Sequence, residues 1–179
     1  MLTVTHQAVK LALQKSPLIH VDETSHSRND EDGLRWCWLM ASDDLVYEKI
    51  LFSRSAISAK TIINEDYAGI VVSDQCPSYN WVSPDKHQLC WAHVKRNLQQ
   101  IADYSGGGHT AYIGRHLCLI TNSLFRARHQ FEKNEIEHLM YLRRMKRLQK
   151  SFDYWLEKGL SIQVQRYRGR CKLLFKHRE

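Results

Sequence analysis

Short apolar runs bounded by turn residues fill the first half of the chain, and their order restricts the available folds more than any other feature. Residues 17–22 (PLIHVD) open on a proline that cannot continue a helix, so Leu18, Ile19 and Val21 make a short buried strand. That strand delivers Asp22 and Glu23 at its end. Beyond a polar turn over 29–33, residues 34–41 (LRWCWLMA) and 46–52 (VYEKILF) have the aromatic and β-branched content of two further strands in hairpins. Residues 58–65 (SAKTIINE) begin on a serine able to cap a helix and set Ile62 and Ile63 on one side. Residues 69–73 (GIVVS) form a fourth strand running into Asp74, and 87–90 a fifth. Residues 91–104 form a helix with Val94, Leu98 and Ile101 at helical spacing.

Three antiparallel strands, a helix, and then strands alternating with helices predict an α/β fold, a mixed sheet of the ribonuclease H-like type over residues 1–105. The glycine-rich stretch 105–109 (SGGGH) marks a joint. Past it the chain turns proline-free and rich in Arg, Lys, Leu and Glu, which predicts an all-helical region over 106–179. There Ile136, Leu139, Met140, Leu142, Leu148, Phe152, Trp155 and Leu156 recur at helical spacing and read as core. With 179 residues, 43% of them hydrophobic, and only 8 Gly and 3 Pro, disordered and collagen-like classes are excluded. No apolar run reaches the roughly 18 residues of a membrane span, and residues 1–15 do not read as a cleavable leader, so a cytoplasmic protein is expected. Five cysteines, odd in number and without a CxxC pair, argue against a disulfide framework and read as reduced core residues. His87, Cys90 and His93 share a three-residue spacing but lack the second ligand pair of a zinc finger.

Asp22 and Asp74 carry the chemistry. They end the first and fourth strands, which adjacency in a mixed sheet would bring together. Two carboxylates at one sheet edge repel unless a divalent cation lies between them, and magnesium takes hard oxygen ligands of this type. Two solvated strand-end acids remain the alternative. Glu23 faces the other side of its strand and reads as a solvated or supporting acid. Lys and Arg number 26 against 19 acids, a net charge of +7, which suits a polyanionic partner. The excess concentrates in Arg143, Arg144, Lys146, Arg147 and Lys150 and in a basic tail, where phosphate contact and a solvated helix face are both open readings.

Three ordered motifs carry a family resemblance: Ile19-His20-Val21-Asp22-Glu23-Thr24; Val71-Val72-Ser73-Asp74 followed by Tyr79-Asn80; and Cys90-Trp91-Ala92-His93-Val94-Lys95-Arg96. Together they resemble the central domain of the insertion-sequence-66 family transposases. The resemblance implies a DDE-type core that cuts and joins DNA strands, with Asp22 and Asp74 matching the first two catalytic acids and metal ligands. It also implies Mg2+ or Mn2+ as cofactor, in a two-metal site in the complete family domain. Transposon ends and target DNA are the implied partners, with a second copy of the chain or a full-length transposase as protein partner. His93, Lys95 and Arg96 fall in the third motif, one turn apart on the helix, and with Arg143, Arg144, Lys146 and Arg147 are the candidate DNA contacts.

The family's third acid, a Glu following an Asn-Asn pair, has no counterpart, since no Asn-Asn occurs. The expectation is therefore a transposase fragment, incomplete or inactive alone. A non-catalytic basic helical module that binds nucleic acid or a partner transposase is the other function class left open.

Overall fold

The computed structural model describes residues 2–27 and 33–177; the polar turn expected over 29–32 lies outside the described residues. The chain divides into two compact units, Met1–Cys90 and Trp91–Glu179.

In the first unit, α1 (Leu2–Leu13) precedes β1 (Leu18–His26), with Pro17 between them. There follow β2 (Arg35–Ala41), β3 (Val46–Leu51), α2 (Ala56–Ile63), β4 (Ile70–Ser73) and β5 (His87–Leu89). The sheet order is β3-β2-β1-β4-β5. Antiparallel pairing joins β1 to β2 and β2 to β3, and parallel pairing joins β1 to β4 and β4 to β5. This is the expected ribonuclease H-like mixed sheet. A hairpin can join antiparallel neighbours directly, whereas strands running parallel need a crossover, and α2 lies on the one that carries the chain from β3 at the sheet edge past β2 and β1 to β4.

The inward face of β1 shows Ile19 and Val21, which pack with Trp38, Met40, Tyr47 and Val71 and with Ala59, Ile62 and Ile63 of α2. Two details differ from the sequence expectation. First, β1 does not stop at Asp22. It pairs with β2 as far as His26 opposite Arg35, because β2 supplies hydrogen-bond partners that the polar sequence DETSH alone does not reveal. It parts from β4 earlier, at His20 opposite Val72. Second, the cap of α2 is Ser55 and not Ser58. The Ser55 Oγ accepts from the Ser58 backbone N–H at 3.3 Å, while the Ser58 hydroxyl is buried and lies 2.9 Å from Ser53 Oγ.

The second unit is helical: α3 (Trp91–Ala102), α4 (Gly108–Glu132), α5 (His138–Gly159) and α6 (Gln165–Lys176). By packing, α3 belongs with this unit, since its stripe of Val94, Leu98 and Ile101 is buried and its principal neighbour is α4. Gly107 and Gly108 both take φ of +59°, a left-handed conformation that turns the chain from α3 into α4. Gly114 permits the close approach of these helices: a Cβ there would sit 2.3 Å from the backbone N of Ala102.

The apolar stripe expected on α5 is only partly core. Leu139, Met140 and Leu142 are exposed at 57%, 48% and 48%, whereas Leu156 is fully buried and Tyr141, Met145, Leu148, Phe152 and Trp155 are half-buried. These apolar positions form a narrow seam against α4 and α6, and Leu139, Met140 and Leu142 fall off it. On α4, Phe131 stacks on Tyr141 at 4.5 Å and His116 on Trp155 at 3.9 Å. The cysteines are all free, but only Cys171 is fully buried; the other four are half-exposed and so not core. Burial raises the Cys171 thiol to about 11.

Candidate active site

The centre of the sheet brings acids together from two chain segments, with a cation from a third between them. Glu23 lies on the inward face of β1, in line with Ile19 and Val21, and its side chain is 0% exposed. Burial of a carboxylate demands partners, and two are present. The Arg54 Nε donates to Glu23 Oε1 at 2.6 Å, and the Tyr79 hydroxyl donates to Oε2. The reading of Glu23 as a solvated acid is thus corrected. Strand parity turns it away from Asp22, but the face it turns to is the packed one.

Asp74 directly follows β4. Its Oδ1 accepts the backbone N–H of Cys76 at 2.8 Å, which closes a tight turn, and its Oδ2 accepts from Arg54 Nη2 at 3.1 Å. Arg54 therefore bridges Glu23 and Asp74. Carboxylate oxygens of these two residues and the Cys76 sulfur all lie within 4.8 Å of one another, the geometry of a potential cation site. Asp22 is exposed on β1, and its Oδ1 accepts the backbone N–H of Glu23 at 3.0 Å. The parallel register pairs Leu18 with Ile70, Ile19 with Val71 and His20 with Val72. That pairing ends at His20 and Val72, short of both acids, and the carboxylate grouped with Asp74 is that of Glu23, not Asp22.

The linker holding Arg54 is fixed from several directions. The Trp38 indole N–H donates to the Ser53 carbonyl at 3.2 Å, and the Ser78 hydroxyl donates to the Arg54 carbonyl at 2.8 Å. The Arg54 guanidinium also lies 5.2 Å from the Trp36 ring centre. Burial works against its charge, but the hydrogen bond to Glu23 and the charges of Glu23, Cys76 and Asp74 outweigh burial and raise its pKa. Tyr79 ends a 3-10 turn, Pro77–Tyr79, and its fully buried ring meets Trp38 edge-on at 6.2 Å. Its own burial, then the hydrogen bond to Glu23 and the nearby charges of Glu23, Asp74 and Asp22, push the phenol well above its ordinary range. It stays protonated and donates. On the neighbouring strand, His87 Nε2 and Ser73 Oγ are hydrogen-bonded at 2.7 Å.

Arg54 leaves no signature in the sequence. Tyr79 lies in the Tyr-Asn part of the second motif, and Glu23 is signalled by parity, as an acid in phase with Ile19 and Val21. The remaining candidates lie in the second unit. His93 is half-buried on α3, where Lys95 and Arg96 are exposed, and the Lys95 Nζ lies 5.1 Å from the Phe125 ring centre. Arg143, Arg144, Lys146 and Arg147 are exposed on α5. No helix among the described residues is long and apolar enough to cross a membrane.

Compared with sequence models of protein families, residues 1–171 match the one described as Transposase IS66 family. Comparison with curated proteins and with solved structures gives no match.

Proposed function

The chain belongs to the IS66 family of transposases, and from that membership we propose that its first unit provides a divalent-metal site for DNA strand cleavage and transfer. Asp22 and Asp74 are its first two carboxylates. The observation that supports this reading is the cluster of Glu23, Asp74 and Cys76, which stands where β4 ends beside β1, with Asp22 next to Glu23 in the chain.

The donor set fits such an ion. Carboxylate oxygens are the ligands that Mg2+ and Mn2+ prefer, and one cation, the Arg54 guanidinium, already bridges two of the acids. A bound divalent ion would activate the attacking hydroxyl or water and stabilise the leaving 3′ oxygen. The protein's own groups do the positioning. Asp74 is held at both oxygens, by the Cys76 N–H and by Arg54, so its carboxylate orientation is set before any ligand arrives. Arg54 cancels one of the three negative charges and leaves a net charge that one divalent cation balances. Tyr79 keeps Glu23 hydrogen-bonded inside the sheet, and Asp22 faces solvent where DNA can reach it.

Glu23 is committed to Arg54 and Tyr79, so it does not replace the absent third acid of the family pattern. The 179-residue chain taken alone binds the cation without efficient turnover. Calorimetric titration with Mn2+ tests the site: binding should weaken in Asp22→Ala and in Asp74→Ala, and unchanged binding in both refutes the assignment. DNA is the partner, met by exposed basic residues of the second unit, among them Lys95, Arg96, Arg144 and Arg147.

A further inference from the structure

The basic run on α5 is split by the fold, and one part of it closes a cleft with α4. On α4, Ser123, Arg126, Ala127 and Gln130 are spaced i, i+3, i+4, i+7 and so form one stripe. On α5, Arg144, Arg147, Leu148 and Ser151 repeat the same spacing. The two stripes line a cleft of about 400 Å³. Ala127, which is buried, and Leu148 form its apolar floor, and three guanidinium-bearing side chains with Gln130 and two serine hydroxyls rim it. No acid is among its lining residues. The nearest acid along α4, Glu132, is already paired with Arg128 at 2.7 Å. One lining contact is itself organised: Arg144 Nη1 donates to Gln130 Oε1 at 2.9 Å, which orients the guanidinium across the cleft. Arg143, Lys146 and Lys150 fall on a neighbouring stripe of α5 outside it.

We propose that this α4–α5 cleft is a phosphate-binding site for the nucleic-acid backbone, with Arg126, Arg144 and Arg147 as its anion ligands. The proposal rests on the transposase reading and deepens it. It moves the DNA contact from the basic run as a whole to two of its arginines plus Arg126, which lies outside the run. Three like charges converging without an acid repel one another in the free protein, and neighbouring backbone phosphodiesters, one for each arginine, remove that repulsion. The arginine fork matches two phosphate oxygens at once, while the Ser151 hydroxyl and the Gln130 amide nitrogen add neutral donors; the Ser123 hydroxyl already donates to the Leu119 carbonyl at 2.9 Å. Because no base-reading group is required, the affinity should be independent of sequence.

The test uses the full chain and a short labelled DNA duplex, with dissociation constants measured across a salt series. The variant Arg126→Gln/Arg144→Gln/Arg147→Gln is compared with the charge-matched Arg143→Gln/Lys146→Gln/Lys150→Gln, both checked for native helix content. Each phosphate contact contributes roughly 0.9 to the log-log salt slope on duplex DNA, so the cleft variant should lose about 2 to 3 from that slope and the control less than about 1. Replacing the three cleft arginines by Lys should keep the slope and weaken binding, since charge persists and the fork does not. Equal losses in both variants, or a larger loss in the control, overturn the cleft site and leave general DNA binding standing. Absence of duplex binding by the wild-type chain at low salt overturns the DNA reading itself, and the cleft proposal with it.

Discussion

Arg54 is the element on which the site's integrity depends most, and Arg54→Ala isolates its contribution. The substitution leaves Glu23, whose side chain is fully inaccessible, with the Tyr79 hydroxyl as its remaining donor in the group and without a countercharge. Removing one partner of a fully buried pair costs about 3–5 kcal/mol, because an uncompensated charge stays behind. The Arg54 side chain is 37% exposed, so water reaches the vacated position and the loss should fall to about 2 kcal/mol. Adding Glu23→Gln to Arg54→Ala should recover about half of the loss, since a buried amide has no charge to neutralise. The chain has two compact units and a single unfolding midpoint would mix them, so the measurement is hydrogen exchange of the β1 and β2 amides. An Arg54→Ala variant within about 0.5 kcal/mol of wild type, or no recovery on adding Glu23→Gln, would refute the bridging account, since surface substitutions fall in that range.

Three further substitutions probe the packing of the two units. Tyr79→Phe keeps the buried ring but removes a donor from Glu23, and should cost about 1–3 kcal/mol. Because the folded-state phenol is raised, its contribution to stability is intact below the unfolded tyrosine value near 10 and is lost above it. An alkaline absorbance titration should therefore show the same phenolate amplitude for wild type and Tyr79→Phe until the first unit opens; a smaller amplitude in the variant counts against the buried assignment. Gly114→Ala should destabilise by about 1–3 kcal/mol or more, because the added Cβ meets the backbone of Ile101 and Ala102, while Gly169→Ala, with nothing within 4 Å, should stabilise α6 by about 0.5–1 kcal/mol. Thermal or urea unfolding in which Gly114→Ala is no less stable than wild type would show that the α3–α4 contact is not tight.

Much of the architecture is legible in the residues because it is local. Pro17 ends one element, the alternation through Ile19 and Val21 makes a strand with one buried face, and the stripe of Val94, Leu98 and Ile101 makes a helix with one buried side. The order of those elements then restricts the sheet to a mixed type, and the observed order β3-β2-β1-β4-β5 is of that type. Asp22 and Asp74 could be singled out for the same reason, each standing where a strand pattern gives way to polar residues.

What only the tertiary structure decides is which faces and which distant groups meet. Glu23 and Asp22 are neighbours in sequence, yet one is enclosed and the other open. Parity assigns them to opposite faces, but it does not say which face α2 covers. Arg54 sits between a strand and a helix with nothing local to mark it, and acquires its role because Trp38 and Ser78 hold its linker against two acids distant in sequence. The same holds on α5, where Leu139 and Leu148 look alike as sequence and differ in burial because the helices packed on α5 cover only a narrow seam. Periodicity is a property of one element, whereas burial and charge pairing are properties of the surfaces that elements present to each other, and these exist only once the chain has folded.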